Sequence, residues 1–207
     1  MKTILTVLAE FLVAVAALAQ TPEEILSRME EEMGKHENEG IVMTVDLKIP
    51  LLGTHSTRTW VLGNKMRAEI SLMGEKAITW SDGATEWTYD SKTREIRIET
   101  HSGKTSDGGD AEMFNGIADG YDVSIKKETA DAWYIQCKKS KSNKEKDDPK
   151  TMDVVVAKGT YHPVSLSAKG SGITLTMKEI SFGVTETQVT FNPADFPDAT
   201  IVDKRQP

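Results

Sequence analysis

IVMTVDLKIPLLGTHSTRTWVLGNKMRAEISLMGEKAITWSDGATEWTYD, residues 41–90, is a series of short stretches in which apolar side chains recur at every second position. Ile41, Met43, Val45, Leu47 and Ile49 share one side of the first stretch, with Asp46 and Lys48 on the other. Trp60 with Leu62, Met66 with Ile70 and Leu72, Ile78 with Trp80, and Trp87 with Tyr89 repeat the pattern. A period of two marks a β-strand with one face buried. Turn chemistry at Gly53, Gly63-Asn64, Gly74 and Asp82-Gly83 separates the stretches, and strands joined by such short turns run antiparallel.

The alternation continues downstream. Ile96 with Ile98, then Tyr121, Val123 and Ile125, then Trp133, Ile135 and Cys137 follow the same rule. So do Met152, Val154 and Val156, then Val164, Leu166 and Ala168, and then Ile173, Leu175 and Met177, with turns at Gly159 and at Gly170 to Gly172. About ten strands, each apolar on one side only, exclude a doubly wound sheet, whose central strands are apolar on both faces. The fold class expected is mainly β (α+β): a single large, curved antiparallel sheet covered by short helices.

Upstream, Thr21 as N-cap, Pro22 at the first helical position and Glu24 in capping-box register open a helix that Gly34 closes. Ile25, Leu26, Met29 and Met33 form its apolar stripe, with Glu23, Arg28 and Glu30 to Glu32 on the solvated side. A second short helix is expected from a cap at Asp110, carrying Met113, Phe114 and Ile117, beyond a flexible Gly108-Gly109 loop. Ahead of the first helix, Lys2, the apolar stretch Ile4 to Leu18 and Ala17-Leu18-Ala19 read as a secretory signal, residues 1–19, cleaved near Ala19. The mature domain is then 20–207, exported to the periplasm and soluble, because no Cys follows the signal to take a lipid. Cys137 is the one thiol; in phase with Trp133 and Ile135, it reads as buried and inert.

The formal charge of −7 argues against nucleic acid as a partner. The basic cluster Lys138 to Lys150 is either a solvated hairpin loop or a docking patch for an acidic partner or anionic headgroups. His36, His55, His101 and His162 lack metal-ligand spacing, no metal or cofactor is implied, and no nucleophile elbow or phosphate loop occurs. No catalytic residue is assigned, and the chain does not read as an enzyme. The apolar residues of the strands and helices read either as ordinary core or as the adaptable lining of a cavity: Leu26, Met29, Met33, Met43, Val45, Leu47, Trp60, Leu62, Met66, Ile70, Trp80, Trp87, Tyr89, Met113, Phe114 and Ile117. The tip Ile49-Pro50-Leu51-Leu52-Gly53 is apolar where hairpin tips are usually polar. It either folds back on the core or forms a rim that meets lipid or a partner.

Two segments carry a family resemblance. SDGATEWTYD, Ser81 to Asp90, resembles the S-D-G-x-x-x-W-x-Y strand pair of the outer-membrane lipoprotein carrier (LolA) family, and VTFNPADFPDATIVDKR, Val189 to Arg205, is similar to its closing segment. The match reaches Trp60, Ser81, Asp82, Gly83, Trp87, Tyr89, Phe191, Pro193, Asp203 and Arg205. The resemblance implies an incomplete β-barrel covered by short helices, and a divergent, monomeric periplasmic carrier that binds lipoprotein acyl chains in an apolar cavity and ferries them toward the outer membrane. Its partners would be acylated lipoproteins or lipids, an inner-membrane release complex and an outer-membrane receptor. The alternative is a non-shuttling module that senses lipids or lipoproteins. The family's lid-closing Arg has no aligned counterpart here; Arg67 is the nearest candidate for the closing residue.

Overall fold

The computed structural model describes residues 20–101 and 114–205. The signal segment 1–19, the expected cap Asp110, the Gly108-Gly109 loop and Met113 lie outside the described residues. The first helix, α1, spans Pro22–Gly34, and its capping box forms in both directions. Glu24 N donates to Thr21 Oγ1 at 3.2 Å and Thr21 N to Glu24 Oε2 at 3.0 Å, satisfying backbone donors that a helix start leaves without partners.

Eleven strands follow: β1 (Ile41–Ile49), β2 (Gly53–Leu62), β3 (Lys65–Leu72), β4 (Glu75–Ser81), β5 (Thr85–Asp90), β6 (Glu95–Thr100), β7 (Tyr121–Glu128), β8 (Ala132–Lys139), β9 (Thr151–Ala157), β10 (Pro163–Gly170) and β11 (Ile173–Phe182). The chain closes with a one-turn helix α2 (Glu186–Val189), a 3-10 turn at Pro193–Asp195 and β12 (Thr200–Asp203). Among the described residues all twelve strands belong to one sheet, ordered β12-β6-β5-β4-β3-β2-β1-β11-β10-β9-β8-β7. It is open, with β12 and β7 at its edges, and forms the curved sheet that the alternation predicts and the incomplete barrel that the resemblance implies. Every pair is antiparallel except β12 with β6. The four residues of β12 are too few for the alternation to reveal them.

Register sorts the side chains onto two faces. Met43 stands opposite Thr59, and the row continues through Ala68, Thr79 and Thr88. Val42 stands opposite Trp60, followed by Arg67, Trp80 and Trp87. Toward the other edge, Val45 leads a row through Met177, Leu166, Val154 and Ile135. That row meets α1. Ile25, Leu26, Met29 and Met33 are fully buried against these strands, with Phe114 and Ile117 beside them. Burial of such side chains contributes roughly 1.5–3 kcal/mol each, which fastens a helix too short to persist alone.

The opposite face has its own core, in which Val42, Val184 and Val189 pack with Trp60 and Leu62. Gly40 joins the two. Its φ is +70°, and a Cβ there would lie 2.6 Å from the Val61 carbonyl oxygen and 2.7 Å from Val184 Cβ. Glu39 O accepts from Val184 N at 2.7 Å at the same crossing. A bulge between Val42 and Thr44 in the β1–β11 pairing, with Glu179 at φ 54°, shifts the phase of β11. Ile180 and Phe182 thereby pack on the α1 core.

Candidate functional site

The residues that the alternation groups as one lining fall on two faces. Leu26, Met29, Met33, Phe114 and Ile117 are in the α1 core. Met43, Val45, Leu47, Met66 and Ile70 lie on the same side of the sheet, in the rows that include Thr59, Thr57, His55, Val61 and Ala77. Trp60, Leu62, Trp80, Trp87 and Tyr89 lie on the other side, a correction to the single-lining expectation. The cause is hairpin parity: the two-residue turn Gly63-Asn64 sets Leu62 opposite Lys65, so Trp60 faces Arg67 while Met66 faces Val61.

On the α1 side, β1 to β4 present Val45, Leu47, Val61, Met66, Ala68, Ile70 and Ala77, all half-buried and outside both buried clusters. Thr57, Thr59, Thr79 and Ser81 intersperse hydroxyls among them. Most of these side chains are short. The surface is an apolar floor of low relief beside the helix core, able to meet a flexible hydrocarbon chain by dispersion and burial without a fixed shape.

The opposite face holds an aromatic cluster. Trp87 stacks on Phe191 at 5.6 Å between ring centroids, Trp80 meets Phe191 edge-on at 5.4 Å, and Tyr89 lies 4.4 Å from Phe196. The two segments that carry the family resemblance are therefore one unit in space, with the closing segment packed on the Trp87–Tyr89 strand. The turn between β4 and β5 is built by Asp82, whose Oδ1 accepts from Ala84 N at 2.9 Å and Thr85 N at 2.7 Å. Gly83 supplies the positive φ. Asp203 is paired with Arg205, whose guanidinium holds its carboxyl down to about 2.

Arg67 belongs to this aromatic face. Its guanidinium carbon lies 5.1 Å from the Trp60 ring centroid and 5.6 Å from that of Trp80, and it pairs with Glu69. With the sheet between it and α1, Arg67 does not hold the helix closed, a second correction, set by the same register.

Other residues fasten α1, and the sequence reading missed them. Ahead of the helix Gln20 Nε2, and from its middle Arg28 Nη1, each donate to the Tyr161 hydroxyl at 2.9 Å, while the Tyr161 ring stacks on Trp133. Beyond the helix end, His36 stacks on Phe182 at 4.0 Å and lies 5.6 Å from His162. Burial and the neighbouring His36 push the His162 imidazole below its ordinary value, against the pull of Glu32. Midway, Glu30 Oε1 accepts from Ile117 N at 3.3 Å. Glu30, read as solvated, is thus a tether between α1 and the Phe114–Ile117 turn, and burial raises its carboxyl above the ordinary value. Only the isolation of Tyr161 between Gly159 and Pro163, outside any alternating run, hinted at such a role.

Cys137 is fully buried, and burial pushes its thiol up to about 11. Along the polar side of α1 runs an open groove of about 560 Å³ lined by Glu24, Arg28, Glu31, Lys35 and Tyr161, chemistry unsuited to an acyl chain. A smaller open pocket, about 330 Å³, lies between Lys146–Lys150 and Ala168, Ile173 and Leu175. Among the described residues no helix is long and apolar enough to cross a membrane.

No protein-family model and no curated protein matches the chain. Among solved structures it is similar to an uncharacterized conserved protein from Thermus thermophilus, at 19% identity over 88% of this chain and 98% of that one, TM-score 0.48. It is similar to the lipoprotein LppX of Mycobacterium tuberculosis, at 13% identity over 76% and 93%, TM-score 0.44. A LolA superfamily protein from Nitrosomonas europaea shares 10% identity over 85% of this chain and 100% of that one, TM-score 0.35.

Proposed function

We propose that the protein is a carrier of the cell envelope that holds acyl chains of lipoproteins, or of related lipids, on the α1 side of its sheet. In this reading it works in the periplasm, receives cargo at the inner membrane and surrenders it toward the outer membrane. The observation that carries the proposal is the floor of β1 to β4, where Val45, Leu47, Val61, Met66, Ala68, Ile70 and Ala77 stay half-buried beside a helix whose own stripe is fully buried. Exposure of acyl chains to water is disfavoured by about 0.8 kcal/mol per methylene, so a carrier must cover most of a chain's length. Swinging α1 and the Phe114–Ile117 turn away from the sheet would join the floor to the helix core and lengthen the apolar track. The Tyr161 contact with Arg28 and the His36–Phe182 stack beyond the helix end are the contacts that such opening breaks.

The test fills the floor. Ala68→Phe with Ala77→Phe places two rings where the lining is shallow, at half-buried positions that tolerate added bulk. Native mass spectrometry of the exported protein is expected to find co-purified acyl lipid on the parent chain and to lose it on the filled variant, with β circular dichroism unchanged. An exported parent without lipid, or a filled variant that keeps the parent's load, removes the proposal.

A further inference from the structure

We propose that one end of the sheet, where the β1–β2, β3–β4 and β10–β11 tips and the β8–β9 loop lie side by side, docks on a bilayer surface that contains anionic lipid. The neighbours are fixed by contact and register. A Cβ on Gly172 would lie 4.0 Å from Pro50 Cγ, and one on Gly170 would lie 3.6 Å from Pro149 Cα. The β3–β4 tip is two strands along from the β1–β2 tip on the same end, about 10 Å away at the spacing of strands.

The tips are apolar and fully presented. Leu51 is 105% exposed, Leu52 69% and Met73 99%, and Ile173 beside them is 40% exposed. Leu51 has φ 69° and Met73 φ 51°, a left-handed backbone that bulky side chains seldom adopt and that Gly or Asn would take at less cost. The β1–β2 tip thus does not fold back on the core. Its leucines are held outward, against both backbone preference and the hydrophobic effect, so their use is outside the fold.

Charge selects the occupant. The chain carries −7 overall, which repels it from anionic surfaces except where positive charge is local. The end of β8 and the β8–β9 loop supply that charge: Lys138, Lys139, Lys141, Lys144, Lys146 and Lys150 against Glu145, Asp147 and Asp148. Asp148 is engaged by Asn143 Nδ2 at 2.7 Å. Lys48, exposed near the base of the β1–β2 tip, adds to it, whereas Lys169 is paired with Asp153. Aliphatic tips flanked on one side by a cationic loop match an interface of acyl chains beneath anionic headgroups. A second copy of the chain would bring two cationic ends together and is disfavoured. The pocket under Lys146–Lys150 reaches Leu175, which stands opposite Leu47, so a docked molecule turns the edge of its apolar floor toward the lipid.

Vesicle flotation tests this independently of cargo. The wild-type chain is expected to float with vesicles of phosphatidylethanolamine and phosphatidylglycerol, to float weakly with phosphatidylcholine alone, and to lose binding as salt rises. Leu51→Asp with Leu52→Asp, and separately Lys144→Glu with Lys146→Glu, should each weaken partitioning by about tenfold or more, with circular dichroism intact because these side chains are exposed. The floor-filled variant should float like the parent, which separates failure of docking from failure of the carrier reading. Wild type that ignores both vesicles, or tip variants that float as well as the parent, overturns the proposal. So does a dimer in sedimentation velocity that the tip variants abolish without any flotation, which would assign the tips to self-association.

Discussion

Glu30 shows how one side chain can be both a tether and a strain on the fold. Its carboxylate accepts from Ile117 N and lies near Asp119, and burial raises its protonation point, with Asp119 adding in the same direction. A carboxyl whose folded pKa lies above its unfolded one gives its full stability below the unfolded value and loses it as pH rises through the folded one. Glu30→Gln keeps an oxygen for Ile117 N without the buried charge. The variant should therefore be more stable than the parent at neutral pH, with the advantage closing by about pH 4, where the parent's carboxyl is protonated too. Urea midpoints across that range check it; a variant less stable at neutral pH would show that the charge-assisted hydrogen bond outweighs burial.

At the scale of elements, α1 depends on its cap. Thr21→Ala removes the acceptor for Glu24 N and should cost about 1 kcal/mol, read as a lower thermal midpoint, while Thr21→Ser should restore most of it. This helix, its stripe and the first eleven strands were legible because each is encoded within its own few residues. The relation between strands was less so. Trp60 and Met66 are each in phase with an apolar side, yet the two-residue turn between them puts them on opposite faces; counting across that turn would have shown it. Two things were beyond counting. The β1–β11 pairing joins distant segments and contains a bulge, and residues 183–199, which cover Trp80 and Trp87, are mostly irregular and carry no periodicity to read. The candidate site was half legible for the same reason: its residues were named correctly as apolar, but their faces follow from register.

For the whole molecule, one sheet supports two cores on opposite faces, and β1 contributes to both through Ile41 and Val42. The two coverings differ in kind. The closing segment is joined to the sheet by β12, which adds backbone pairing with β6 to the ring contacts of Phe191 and Phe196. No strand pairing holds α1, which rests on its stripe, Tyr161, His36 and the Glu30 tether. A 13-residue helix gains little from its own hydrogen bonds, so releasing it should require less free energy than unfolding the sheet. Native-state hydrogen exchange is then expected to show α1 amides exchanging through a partial opening while β1, β4 and β5 exchange only on global unfolding. Tyr161→Phe, which removes the hydroxyl that Arg28 and Gln20 share, should speed exchange in α1 and leave β4 and β5 unchanged. Equal protection of α1 and β4–β5, moving together in the variant, would mean that the two faces form one cooperative unit and that the helix does not open by itself.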